Sequence, residues 1–207
     1  MAIEVKVETA LDRFVAKTRA LFASEPDAEK RWEALTPVMA ELLADPTVIE
    51  ASKSWPNTND GPRNADGRVD NLLFYEDPDY GFALQGLKKV PNRSGSRSVH
   101  DHGRIYTLYG VLDGHERVER FERVDDRSKP DYAEIRETVG TVVGPGEIDL
   151  VKPYEIHTEV TVGEATIALI ARSEASGKAM QGRYNTETFA YREGPGPHLV
   201  PVEMFSK

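Results

Sequence analysis

The sequence predicts a mainly β protein, a sandwich or barrel of short strands, preceded by a helical segment. Three observations carry this prediction. Residues 9–55 place apolar residues at helical spacing, with capping residues ahead of prolines. From Val69 onward the pattern changes to short apolar runs separated by turn residues. A length of 207 residues suits one folding unit with a core of its own.

In the helical part, Leu11, Phe14, Val15, Leu21 and Phe22 recur with charged residues between them, which predicts an amphipathic helix from Thr9 to Phe22. A second start is expected at Ser24-Glu25-Pro26-Asp27, where the serine can cap and the acid three residues on can reciprocate. Trp32 and Leu35 carry its apolar face. Thr36-Pro37 and Asp45-Pro46 each set a capping side chain before a proline, so two or three short helices, broken there, are expected up to Trp55. Pro56 to Gly67 has the Asn, Asp, Gly and Pro content of a surface connection.

Strands are expected at Asn71–Tyr75, Phe82–Lys88, Ser98–His102, Ile105–Leu112, Ile148–Val151, Thr158–Val162 and Thr166–Ala171. Asp113-Gly114 predicts a hairpin turn. Val118, Phe121 and Val124 recur every third residue, which is neither strand nor helix spacing and predicts a bulge. The whole chain is expected as a single domain, with residues 1–55 packed as helices on a barrel core at 68–175. Residues 176–207, with Gly194-Pro195-Gly196-Pro197, are expected as an extended tail over the barrel.

A net charge of -9 argues against the basic face that nucleic acid or an anionic membrane requires, which leaves small molecules as the expected partners. The absence of cysteine excludes disulfides, thiolate metal sites and cysteine nucleophiles, so any metal must sit on His, Asp or Glu. Met1 to Phe14 lacks the basic start and apolar core of a leader, and no stretch approaches the ~20 apolar residues of a membrane span. A cytoplasmic location is expected.

The chain has five histidines, and two of them form His100-Asp101-His102. On a strand, positions i and i+2 point to the same side, so these imidazoles would converge in the interior where a metal could sit; such a pair also occurs as a satisfied polar pair. Asp101 should then point away. His115 follows the expected turn as a solvated loop residue, and His198 sits among prolines.

After His102 the chain runs through Tyr106-Thr107-Leu108-Tyr109-Gly110-Val111-Leu112 into Asp113-Gly114. This resembles the first cupin motif, with Gly95 and Gly114 at the glycine places and Thr107 where many cupins have glutamate. Gly146, Pro153 and His157 resemble the second motif. Together with Glu41-Leu42-Leu43-Ala44-Asp45 and Asn71-Leu72-Leu73-Phe74-Tyr75, the chain resembles the cysteine dioxygenase-like cupins, of the bacterial 3-mercaptopropionate dioxygenase type. The resemblance implies a double-stranded β-helix (jelly-roll) barrel and one iron(II) on His100, His102 and His157, with other first-row divalent ions as alternatives. With threonine at 107, the metal would be held by three neutral imidazoles and would attract anionic or chelating substrates. It also implies a dioxygenase acting on a small chelating substrate, a thiol or an oxygenated or aromatic chelator, with dioxygen as co-substrate. A monomer or homodimer is expected.

Departures from the family matter as well. The late strand Thr166-Ile167-Ala168-Leu169-Ile170-Ala171-Arg172 lacks the family's histidine and tyrosine, and Thr107 and Arg172 stand at or near the crosslink positions. Tyr106, Tyr154 and Arg172 are expected near the metal, as catalytic or substrate-holding groups, though either tyrosine could instead be a packing residue. Asp70, with Arg68 two residues earlier, falls where the family grips a substrate carboxylate. Facing the pocket, Asp70 would repel a carboxylate; facing water, it would leave Arg68 or Arg172 to hold one. Two other readings stay open: a cupin isomerase or lyase using zinc, manganese or nickel without oxygen, and a barrel that only binds a small ligand.

Overall fold

The computed structural model describes residues 8–58, 70–89 and 98–205. Arg68 and Gly95 lie outside these residues.

Helix α1 (Ala10–Ser24) begins in a capping box: Thr9 Oγ1 accepts from the Asp12 N–H, and the Asp12 carboxylate accepts from the Thr9 N–H. Helix α2 (Ala28–Leu43) is capped by Asp27, whose carboxylate accepts from the Lys30 N–H, and not by Ser24. Ser24 ends α1, and its hydroxyl donates to the Ala20 carbonyl. Contrary to expectation, α2 runs through Pro37 without a break. A proline inside a helix costs about 3 kcal/mol. Trp32, Leu35, Met39, Leu42 and Leu43 are all buried along this helix, and at about 1.5–3 kcal/mol each they outweigh that cost. The break at Asp45-Pro46 is present, and Asp45 caps α3 (Pro46–Lys53).

Ten strands follow among the described residues: β1 (Asp70–Glu76), β2 (Ala83–Lys89), β3 (Val99–His100), β4 (Thr107–Arg123), β5 (Ile135–Val143), β6 (Ile148–Val151), β7 (Ile156–Arg172), β8 (Met180–Tyr184), β9 (Tyr191–Pro195) and β10 (His198–Pro201). The two 17-residue strands β4 and β7 pair antiparallel along most of their length. Each contains a glycine with positive φ, Gly114 at 78° and Gly163 at 92°, and the register shifts on both sides of Asp113. Here the ribbon bends. A Cβ on Gly114 would lie 2.1 Å from the Ala165 carbonyl oxygen, so this close approach needs glycine. The Asp-Gly signal is therefore a bend within β4 and not the expected hairpin, because β7 supplies partners on both sides of it.

On one side of the bends the order is β10-β1-β2-β7-β4-β6; on the other it is β9-β8-β3-β7-β4-β5. Two sheets sharing the same two long strands enclose an interior, which is the mainly β, double-stranded β-helix barrel with an N-terminal helical segment. Strand alternation sorts the side chains of the first sheet. Leu72, Leu84, Leu108, Leu169 and Ala171 join Trp32, Leu35, Met39 and Leu43 in the core beneath the helices. Leu87, Tyr109, Val111, Ala168 and Ile170 meet Val118 and Val143 in the barrel interior.

The expected bulge appears between Arg120 and Phe121, where the β4–β5 register shifts. The segments Thr158–Val162 and Thr166–Ala171 belong to one strand, β7. The segment expected as a tail supplies β8 against β3, β9 against β8, and β10 parallel to β1. Among the described residues no helix is long and apolar enough to cross a membrane.

Candidate metal centre

The structure brings His100, His102 and His157 together and adds Glu159. His100 comes from β3, and His157 and Glu159 are an i, i+2 pair near the start of β7, so both side chains face the same way. His100 and His157 are direct partners across the β3–β7 pairing. His102 lies beyond β3, which ends at His100, so strand alternation does not aim its ring. A turn does. Asp101 is buried and accepts from the Gly103 N–H (2.7 Å), the Gly182 N–H (3.0 Å) and the Tyr184 hydroxyl (2.7 Å). That carboxylate folds the chain back between the two histidines and pins it to β8. Asp101 does point away from the imidazoles, but as a structural anchor.

Each imidazole is fixed from behind. His100 Nδ1–H donates to the Ser98 carbonyl and His157 Nδ1–H to the Glu155 carbonyl, each at 2.9 Å. A carbonyl only accepts, so this pairing places the proton on Nδ1 and leaves Nε2 bare toward the interior in the neutral ring. His102 Nδ1 pairs with Thr107 Oγ1 at 3.0 Å. Thr107 thus stands behind a histidine.

The forward faces converge. His100 Nε2 lies 3.2 Å from His102 Nε2; Glu159 Oε1 lies 3.2 Å from His157 Nε2, and Glu159 Oε2 lies 4.0 Å from His100 Nε2. One ligand atom from each of the four residues falls within 4.8 Å of the others. Imidazole nitrogens and carboxylate oxygens bind first-row ions at about 2.0–2.2 Å, which sets neighbouring donors about 3–4 Å apart. With His100 Nε2 bare, the 3.2 Å approach of His102 Nε2 is met either by the His102 proton or by a cation between the two nitrogens. The residues present therefore fit a divalent metal.

Charge supports the same arrangement. Burial pulls His100 down to about 4, and burial with the nearby Arg172 charge pulls His102 well below its ordinary value. Both rings are neutral at pH 7, as ligands must be. Burial also acts to lower His157, but the Glu159 carboxylate outweighs it and the net shift is upward. Burial acts to raise Glu159, and His157 outweighs that in turn, so its carboxyl stays well below the usual range. Glu159 corrects the expectation of three neutral imidazoles alone. It is a carboxylate on β7, whereas the first-motif position on β4 holds threonine.

The other expected site residues scatter. Arg172 lies beside the cluster: it pairs with Thr107 across β7 and β4, is 4% exposed, and sets Nη2 3.4 Å from His102 Nε2. Burial brings it down to about 10, so it remains charged at neutral pH. Tyr106 does not face the imidazoles. Thr107 takes the inward position, so Tyr106 falls on the helix side and stacks on Trp32 with ring centroids 6.2 Å apart. Tyr154 is 68% exposed on the loop before β7, with φ 60° and its N–H donating to the Gly103 carbonyl, so its side chain is a surface feature. Asp70 shares the face of Leu72, turned to the helix-side core, and its carboxylate meets His198 Nδ1 at 2.9 Å. Asn71 and Gln85 occupy the opposite face, toward the interior, because Leu73 pairs with Gln85. His115 is an exposed strand residue on β4 rather than a loop residue.

No family model matches this sequence, and no curated protein matches it either. Solved structures with similar strand layouts include an uncharacterized conserved protein with a double-stranded β-helix domain from Klebsiella pneumoniae. It is 15% identical, with a TM-score of 0.40, over 65% of this chain and 94% of that one. The cupin domain of Cnp3 from Schizosaccharomyces pombe is 9% identical, with a TM-score of 0.38, over 51% and 64% of the two chains. A recombinant oxalate oxidase in complex with glycolate is 19% identical, with a TM-score of 0.35, over 45% and 42%. The chain spans less than two thirds of the last two. At such overlaps the likeness carries no argument about ligand, metal or reaction.

Proposed function

We propose that this protein is a non-haem iron(II)-dependent dioxygenase that oxidises a small chelating substrate. The observation that carries the reading is the convergence of three imidazole Nε2 atoms and one carboxylate, each ring oriented by a partner on Nδ1, inside a barrel. His100, His102 and His157 hold the metal, and Glu159 reaches the same point. When bound, iron(II) supplies Lewis acidity and redox chemistry toward dioxygen.

The chain itself orients the substrate and excludes water. Ser98 and Glu155 carbonyls and the Thr107 hydroxyl hold the rings so that their donor atoms need no rearrangement. Leu87, Val111, Val118, Ala168 and Ile170 close the interior with apolar surface, which strengthens every polar contact made there. Arg172 places a fixed positive charge beside His102.

The test is an oxygen electrode trace of the iron-loaded protein against thiols, catechols and hydroxyketones. Oxygen uptake tied to product formation, lost in His100→Ala, is the expected result. Turnover of a substrate with zinc, manganese or nickel and no oxygen uptake would replace this reading with that of a metal-dependent isomerase or lyase.

A further inference from the structure

The wall beside His102 carries buried hydrogen-bond donors that have no acceptors among the described residues. Arg172 is buried, and its Nε and Nη1 find no partner. Gln85 is fully buried on the same inward face; its Oε1 accepts from the Ser176 hydroxyl at 3.0 Å, and its Nε2 finds no partner. The register relates the two residues. Arg172 pairs with Ala83, and Gln85 is two residues further along β2, so they are diagonal neighbours on one face. Leaving two guanidinium nitrogens and an amide nitrogen unpaired out of water is costly, and such costs persist where a ligand offsets them.

The placement also defines what the ligand brings. Arg172 donates only, as does the free amide nitrogen of Gln85, so the missing partner is an acceptor, and the full charge of the guanidinium favours an anionic oxygen. Size follows from Arg172 Nη2 lying 3.4 Å from His102 Nε2, since a group touching the guanidinium is already next to the metal-ligand atoms. Polarity follows from Glu159, which stands against His157 and repels a carboxylate toward Arg172. Asp70, on the opposite face of β1, contributes no repulsion inside the barrel.

We propose that Arg172 and Gln85 form an oxyanion subsite that takes a carboxylate oxygen of a short acid, one whose chelating atom sits on the adjacent carbon, as in a 2-hydroxy or 2-oxo acid. The inference rests on the metal reading above, because the chelating atom is assigned to the ion held by the histidines. It names the substrate as an acid, and it makes Arg172 a specificity residue.

The probe is lactate compared with lactamide, two molecules with the same hydroxyl and carbon frame that differ in carboxylate against amide. Binding to the cobalt(II)-loaded protein is read by titration calorimetry and by the visible absorption of the metal. Lactate is expected to bind at least tenfold tighter than lactamide. Arg172→Met is expected to erase that preference while metal content stays at wild type, Arg172→Lys to keep part of it, and Gln85→Leu to lower it severalfold. Equal binding of the two probes by the metal-loaded protein, or an undiminished preference in Arg172→Met, overturns the subsite and leaves the metal centre standing. Failure to take up metal overturns the metal reading instead. In that case formate binding to the metal-free protein decides the subsite: binding that depends on Arg172 supports it, and its absence overturns it.

Discussion

Thr107→Val separates the orientation of a ligand from the ligand itself. Thr107 is fully buried at the start of β4, and valine keeps its shape while removing the oxygen that lies 3.0 Å from His102 Nδ1. When His102 Nε2 binds a metal, Nδ1 carries the proton, and the valine leaves that N–H without an acceptor. A buried donor left unpaired costs about 1–3 kcal/mol, or roughly 5–150-fold in affinity at 1.4 kcal/mol per tenfold. In the metal-free protein His102 can instead move its proton to Nε2 and donate to His100 Nε2 at 3.2 Å, which leaves a bare Nδ1 acceptor in place of an unpaired N–H. Metal affinity should therefore fall, with a smaller loss of metal-free thermal stability beside it. Competition with a chromophoric chelator for zinc measures the first, and scanning calorimetry the second. Thr107→Ser should restore most of the affinity. Wild-type affinity in Thr107→Val would refute the reasoning that Thr107 orients His102.

Four further outcomes follow from the structure. His100 and His102 are held low, to about 4 and well below the ordinary value, whereas His157 is raised by Glu159. Over the range between His100 and His157 only His157 is protonated, so metal affinity should fall tenfold per pH unit as pH drops below the His157 value. Calorimetric titrations from pH 5 to 8 check this, and a release of two or three protons in that window would contradict it. Trp32→Ala should destabilise the protein by about 3–5 kcal/mol, because Trp32 is 1% exposed in the core between α2 and the sheet. Tyr106→Phe should leave metal binding and oxygen uptake unchanged, since its ring lies on that helix side. Asp101→Ala removes a carboxylate that accepts three hydrogen bonds, and should lower both thermal stability and metal affinity, the latter by at least tenfold.

Much of this fold is legible in the sequence because its elements are locally marked. Helix α1 recurs at helical spacing behind its Thr9 cap, and β1, β2 and β6 are short apolar runs bounded by turn residues. Strand β5 escapes notice because residues 136–142 are exposed, which leaves no apolar pattern to detect. Pro37 reads as a break because local geometry is visible in sequence and the burial of Trp32 and Met39 that overrides it is not. The His-x-His spacing does mark a converging pair, but by a different route: only His100 lies on a strand, and the Asp101 turn brings His102 round. Glu159 obeys the same i, i+2 rule in His157-Thr158-Glu159, because β7 begins at Ile156, two residues before the expected Thr158. For Asp70 and Tyr106 the sequence leaves two alternatives open, facing the pocket or facing away, and the structure takes the second for both. Which face of a strand turns inward depends on register, and a one-residue difference exchanges Asp70 for Asn71 and Tyr106 for Thr107.

If His100, His102 and His157 hold a single divalent ion together with Glu159, X-ray absorption on the metal-loaded protein will register the four donors. One equivalent of metal is expected, with three imidazole nitrogens and a carboxylate oxygen at about 2.0–2.2 Å, one oxygen scatterer lost in Glu159→Ala and most of the metal lost in His157→Ala. Full occupancy in His157→Ala, or a metal spectrum without imidazole scattering, would contradict it.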